Sequence, residues 1–254
     1  MFISTSNVLR MFQKRRFMLA QKSPILRRFW LFTNMKQTLL LISIFILSLS
    51  YSVYGGREYT DTASSRVFRR ISRPKIVSRK KWKAENAIGK GKEHTISYIT
   101  IHHTATLQNE KLTIEKKMQN LQNFSQSPGR LASGKSKPAW FDVPYHYYIA
   151  VDGKIAEGRK IKFVGDTNTE YDPDGHALIV VEGNFQTEQP SSKQRESLQK
   201  LVAWLSFKWK VSTTEIKAHN DYAATACPGE NLKKLLPLLR QKTSEMKRAP
   251  DRRR

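Results

Sequence analysis

The chain has 254 residues, 45 Lys+Arg against 21 Asp+Glu, and a formal net charge of +24 at neutral pH. Much of both ends is unsuited to a core, which leaves room for one domain of roughly 150–180 residues. The single cysteine, Cys227, excludes an intrachain disulfide framework, and so basic a surface favours a polyanionic partner: nucleic acid, anionic lipid or an anionic cell-wall polymer.

At the N-terminus, Arg10, Lys14, Arg15, Arg16, Lys22, Arg27 and Arg28 stand with no acidic residue among positions 1–34. Leu39 to Leu49 then forms an apolar run of eleven residues. A membrane span needs ~20 residues, so the run has the length of the apolar core of a secretory signal. Met35-Lys36 precedes it, and small residues around Ser52 and Gly55-Gly56 offer a cleavage site. Residues 1–56 are therefore expected to be a basic extension and export signal, with Met35 as the candidate true start. The alternative is an uncleaved anchor with Tyr51 and Tyr54 at the interface. The expected location is the periplasm or the extracellular space, at a membrane only if the signal stays uncut. Residues 57–73 lack hydrophobic periodicity and read as a linker. The folded domain is expected over 74–246, with a basic tail over 247–254.

Within the domain, Ser97 to His102 alternates apolar and polar residues and predicts a strand. Ile114, Met118 and Leu121 recur at helical spacing. Pro128, Gly129, Gly134, Pro138 and Pro144 predict loop from Ser127 to Pro144. Tyr145–Val151 predicts a strand, and Asp152-Gly153 turns it into another over Lys154–Gly158. Ala177–Val181 is apolar throughout, as in a strand buried on both faces. Leu198, Leu201, Val202 and Leu205 mark one helix, and Leu232, Leu235, Leu236 and Leu239 mark a second. Mixed strands and helices give an α/β or α+β class.

Three segments carry chemistry. Ile101-His102-His103-Thr104-Ala105 closes a strand, where imidazole is well placed to hold zinc. Adjacent strand residues face opposite ways, so one histidine of the pair serves a given site. Ala218-His219-Asn220-Asp221 runs on to Thr225-Ala226-Cys227-Pro228-Gly229. A helix opening at Pro228 would place its positive end by Cys227 and favour a thiolate. A thiolate with two imidazoles makes a zinc site whose fourth position stays open for water. The third segment, Val143 to Gly153 continuing to Glu157-Gly158-Arg159, reads by itself as an aromatic core strand.

In this order the segments resemble the type 2 N-acetylmuramoyl-L-alanine amidase family. The resemblance opens at Ile76-Val77-Ser78-Arg79 with Trp82, as in the peptidoglycan recognition branch. It continues through Gly183-Asn184-Phe185 and the helix after Pro190, covering roughly residues 74–240. It implies a single α/β domain with a central mixed β-sheet flanked by helices, and a Zn²⁺ ion in a groove at one edge. The implied ligands are His102, His219 and Cys227, with His103 pointing elsewhere. Tyr145 and Thr225 match the positions that assist at the substrate carbonyl, and Arg159 is carried over as a substrate-binding residue. Some members place a glutamate base on the strand before Gly-Asn-Phe. Here Val180 stands at that position and Glu182 two residues later, so the preferred reading is catalysis without that carboxylate. A histidine found in some members before the Gly-Asp pair is also absent, since Phe163-Val164-Gly165-Asp166 stands there.

The activity so implied is hydrolysis of the lactyl amide between N-acetylmuramic acid and L-alanine, with peptidoglycan or muropeptides as partner. An anionic wall polymer is a further expected partner. One rival is a peptidoglycan-binding module without catalysis; members that lose catalysis typically lose the cysteine, which is retained here. Another makes Cys227 a nucleophile with His219 or His102 as its base. Nucleic-acid binding rests on charge alone, with no reading motif, and is not expected.

Overall fold

The computed structural model describes residues 71–131, 134–167 and 169–248. The expected signal or anchor, most of the linker and residues 249–254 lie outside the described residues. In chain order the strands are β1 (Ile76–Val77), β2 (Tyr98–His103), β3 (Gly129–Arg130), β4 (Ser136–Lys137), β5 (Tyr147–Ile149), β6 (Ile155–Glu157), β7 (His176–Val181) and β8 (Ile216–Ala218). The helices are α1 (Ile114–Gln126), α2 (Ser192–Lys208), α3 (Glu230–Lys233) and α4 (Leu236–Arg248).

Six strands form one sheet in the order β1-β6-β5-β7-β2-β8. Only β5 and β6 pair antiparallel, across the expected Asp152-Gly153 turn; the other neighbours in this sheet are parallel. The expected loop from Ser127 to Pro144 holds one short antiparallel pair, β3 with β4.

Strand alternation sorts the two faces of the sheet. Ile99, Ile101, Ile179 and Val181 pack with Leu198, Leu201, Val202 and Leu205 of α2 and Leu239 of α4. On the opposite face Val180 and Tyr148 pack with Ile114 and Met118 of α1 and with Trp82. Each fully buried aliphatic side chain contributes about 1.5–3 kcal/mol, so this two-sided burial holds β7 rigidly.

Helix ends follow local chemistry. Thr113 caps α1 by accepting from the Lys116 N–H, and Ser191 with Gln194 forms a capping box on α2. The leucines from Leu232 to Leu239 do not share one helix, because α3 ends at Lys233 and α4 begins at Leu236. Pro237 explains the break: it lacks an N–H, and its ring would strike the carbonyl four residues back.

Both expected boundaries shift. Ile71 is buried in the α2 face and Arg73 lies over the Trp204 ring, so the end of the expected linker already packs on the domain. Lys247 and Arg248 are the last residues of α4, and Lys247 Nζ donates to Ser206 Oγ and the Val211 carbonyl. Those two residues belong to the folded domain rather than to a tail.

Candidate metal centre

With Ile99 and Ile101 turned into the α2 face, Thr100 and His102 fall on the other. β8 runs parallel to β2, with Ile216 opposite Ile99 and Ala218 opposite Ile101. One further step along both strands sets His219 beside His102, and their ring centroids lie 4.4 Å apart.

Cys227 returns to the same point through a tied loop. The Asn220 N–H donates to the Cys227 carbonyl at 3.0 Å, and the His103 N–H donates to Cys227 Sγ at 3.4 Å. Gly229 completes the anchorage: its φ is +86°, and a Cβ there would come within 2.4 Å of the Phe185 carbonyl carbon. Glycine alone lets the Cys-Pro-Gly segment lie this close to the Gly183-Asn184-Phe185 turn.

One ligand atom from each of His102, His219 and Cys227 falls within 4.8 Å of the others. A tetrahedral zinc with bonds of ~2.0–2.3 Å spaces its ligand atoms by about 3.5 Å, so small rotations suffice. His219 Nδ1 and His102 Nε2 are buried without a hydrogen-bond partner. Orphaned buried nitrogens are costly unless something else engages them, and a cation fits that role. Burial holds His102 well below the ordinary imidazole range and lowers His219 to about 4, keeping both neutral as ligands require.

The helix contribution expected at Cys227 is not found. Helix α3 starts at Glu230, with Gly229 rather than Pro228 at its cap, and spans four residues. Burial instead pushes the Cys227 thiol up to about 12. In that setting a cation beside the sulfur is what would deprotonate the thiol.

The second histidine of the pair turns away, as alternation requires. His103 Nδ1 accepts from the Phe185 N–H at 3.3 Å. Tyr145 lies on the metal side, its ring centroid 5.3 Å from that of His102. Burial raises its phenol well above the ordinary value, so it keeps its proton. Thr225 accepts the Cys227 N–H on Oγ1 at 3.2 Å, which leaves its own hydroxyl proton to donate elsewhere.

Arg159 does not fit its expected place as a substrate contact. It is 3% exposed, and its guanidinium donates to the carbonyls of Asp142, Val143 and Val164 and to the Asp166 carboxylate. That leaves one of five N–H groups. Arg159 is a strut between the segment carrying Tyr145 and the irregular segment of residues 163–166. Gly158 beside it is required, because a Cβ there would meet the Tyr145 carbonyl at 2.3 Å.

Val180 is fully buried beside His102 in the β2–β7 register. Glu182 is 3% exposed; its carboxylate takes Lys117 Nζ and the N–H groups of Asn109 and Val151. The carboxylate is thus engaged by donors from α1 and from the backbone on either side of it.

Several residues under the site escaped the sequence reading. Thr169 Oγ1 lies 2.7 Å from His219 Nε2. The Tyr171 ring packs 5.3 Å from that of His219 and stacks on Tyr222, and His176 Nδ1 pairs with Thr100 Oγ1 at 2.8 Å. Strand spacing carried a signal for Thr100, two residues before His102 on the same face. Thr169 and Tyr171 come from irregular chain and had none.

A family model described as N-acetylmuramoyl-L-alanine amidase matches residues 92–230, over half of the chain. Among curated relatives, peptidoglycan recognition protein 1 of Mus musculus is 29% identical over 161 residues, 62% of this chain and 83% of its own length. Peptidoglycan-recognition protein SD of Drosophila melanogaster is 30% identical over 169 residues, 63% of this chain and 83% of its own. The crystal structure of the Drosophila SD protein superposes with a TM-score of 0.55 at 27% identity, covering 65% of this chain and 94% of that one. The endolysin N-acetylmuramoyl-L-alanine amidase LysCS from Clostridium intestinale superposes with a TM-score of 0.52 at 26% identity, covering 66% of this chain and 97% of that one. With a central mixed sheet flanked by helices, and a His-His-Cys cluster at its edge, this chain belongs to the N-acetylmuramoyl-L-alanine amidase family.

Proposed function

We propose that this protein is a zinc-dependent N-acetylmuramoyl-L-alanine amidase, acting after export on peptidoglycan or its soluble fragments. The observation that carries the reading is the convergence of His102, His219 and Cys227 within 4.8 Å, with ring nitrogens left unpartnered in a buried setting. Relatives support the substrate class: one solved structure shows tracheal cytotoxin bound to the ectodomain complex of recognition proteins LCa and LCx. Among the described residues no helix is long and apolar enough to cross a membrane.

Hydrolysis breaks the lactyl C–N bond, forms a C–O bond from water, and delivers one proton to the leaving amine of L-alanine. Zinc held by the three residues supplies a Lewis acid for the carbonyl and an acidified water. Tyr145 keeps its phenolic proton beside His102, so it can donate to the oxygen that gains charge or pass a proton toward the amine. Thr225 has a hydroxyl proton free for the same oxygen. Arg159 and Gly158 fix the backbone from which Tyr145 projects.

The recognition-only reading is disfavoured by the complete three-ligand cluster. Zinc content of the purified protein tests the assignment: one ion per chain is expected, with Cys227→Ser depleted. Undiminished zinc in Cys227→Ser contradicts it.

A further inference from the structure

We infer that Thr169 is a positioning residue for the metal centre: its hydroxyl accepts the Nε2–H of His219 and so presents the Nδ1 lone pair of that ring to the cation. The inference rests on the zinc reading above and deepens it by saying what selects the tautomer of one ligand.

Three distances carry it. Thr169 Oγ1 lies 2.7 Å from His219 Nε2. The Thr169 hydroxyl donates to Thr167 Oγ1 at 3.3 Å, and the Thr167 hydroxyl donates to the Thr169 carbonyl at 3.2 Å. Each hydroxyl has one proton, and here both protons have an acceptor. Thr169 therefore meets His219 as an acceptor, and the ring must be the donor through Nε2–H. The remaining nitrogen, Nδ1, carries a lone pair, and it is the buried atom without a partner.

The opposite arrangement costs more. If Thr169 donated to Nε2, Nδ1 would carry a proton, and that buried N–H would have no acceptor among the described residues. An unsatisfied buried donor costs about 1–3 kcal/mol. Packing cannot make the choice by itself. The ring sits between His102, with centroids 4.4 Å apart, and Tyr171, with centroids 5.3 Å apart. Both contacts are tilted ring packing, with no hydrogen bond to either nitrogen. The hydroxyl distinguishes one nitrogen from the other.

Partners of this kind orient a ligating histidine and raise its basicity, and losing one commonly costs 10–100-fold in metal affinity. Thr169→Val keeps the shape and removes the hydroxyl; Thr169→Ser keeps the hydroxyl.

Two measurements test the inference. In metal-free wild type, two-bond ¹H–¹⁵N correlation spectra of the imidazoles should show His219 as the Nε2–H tautomer. The Nδ1–H tautomer would overturn the inference, and this experiment needs no variant to fold. Chelator competition should then show zinc bound ~10–100-fold more weakly by Thr169→Val, with Thr169→Ser near wild type. Equal affinity in wild type and Thr169→Val would also overturn it. A wild type that binds no zinc contradicts the metal assignment itself, and the tautomer spectrum then decides the role of Thr169 separately.

Discussion

Lys117 Nζ lies 2.7 Å from Glu182 Oε2, and both side chains are almost wholly removed from water. The same carboxylate accepts the backbone N–H groups of Asn109 and Val151. The one glutamate near the expected base position thus ties α1, the 103–112 loop and the end of β5 to β7. The carboxylate of Glu182 serves the scaffold, and Val180 occupies the sheet beside His102.

Breaking a buried ion pair from one side leaves an uncompensated charge and costs about 3–5 kcal/mol. Lys117→Met is expected to lower unfolding free energy by that order. Glu182→Gln breaks the same pair from the other side, leaving the Lys117 ammonium buried without its carboxylate, so a cost of the same order is expected. Denaturant unfolding measures both. Per folded molecule, amidase turnover of Glu182→Gln should stay within a few-fold of wild type. A loss on the scale of a missing general base, ~10²-fold or more, would return Glu182 to the mechanism.

Tyr145→Phe removes the phenol beside His102 and nothing from the ligand set. Zinc content should be unchanged, while turnover falls by at least ~10²-fold, the scale of one lost oxyanion donor or acid–base group. Metal analysis beside steady-state rates checks the pair of outcomes. Wild-type turnover in Tyr145→Phe removes this residue from the account.

His146 gives a pH signature of folding rather than of catalysis. Its Nδ1 accepts from the Leu178 N–H, its Nε2 donates to the Phe163 carbonyl, and burial lowers it from 6.5 to about 3. Between those values the unfolded chain binds the extra proton and the folded one does not. The contribution is therefore complete above pH ~6.5 and is lost as pH falls toward ~3. Stability of His146→Asn should be lower at neutral pH and fall less steeply below pH ~6.5. Parallel curves for variant and wild type would show that this histidine does not drive the acid sensitivity.

Residues 57–254 by themselves carry a formal net charge of +16, which predicts electrostatic adherence to an anionic wall. Exposed charges act over ~10 Å at 0.1 M salt and ~3 Å at 1 M. Sacculus binding should fall steeply over that range, while cleavage of a small soluble muropeptide should fall far less. Deleting residues 249–254 removes Arg252, Arg253 and Arg254 together with one aspartate. It should weaken adherence modestly and spare turnover, because Lys247 and Arg248 of α4 are kept. Binding that stays flat with salt contradicts this use of the charge.

Much of the architecture was legible because its causes are local. Alternation marked β2, the continuous apolar run marked β7, and Asp152-Gly153 marked the turn between β5 and β6. The His-His-Thr strand end and the His219-to-Cys227 spacing pointed to one cluster, and the structure brings those three side chains together. The rest depended on distance. Arg159 is a substrate contact by resemblance, but in the fold four acceptors from the segments on either side engage it. Pro237 splits a leucine pattern that looks continuous by spacing alone, and Lys247 reads as tail until Val211 supplies a carbonyl. Thr169 had no periodic pattern to announce it, since its role comes from where an irregular segment meets His219.

The most direct test of the central claim is mass spectrometry of muropeptides after digestion of purified sacculi by the mature protein, with and without a chelator. The account predicts free stem peptides beginning at L-alanine together with peptide-free glycan, lost on chelation and restored by Zn²⁺. Intact stems still joined to muramic acid in every condition, or release that is indifferent to the chelator, would contradict it.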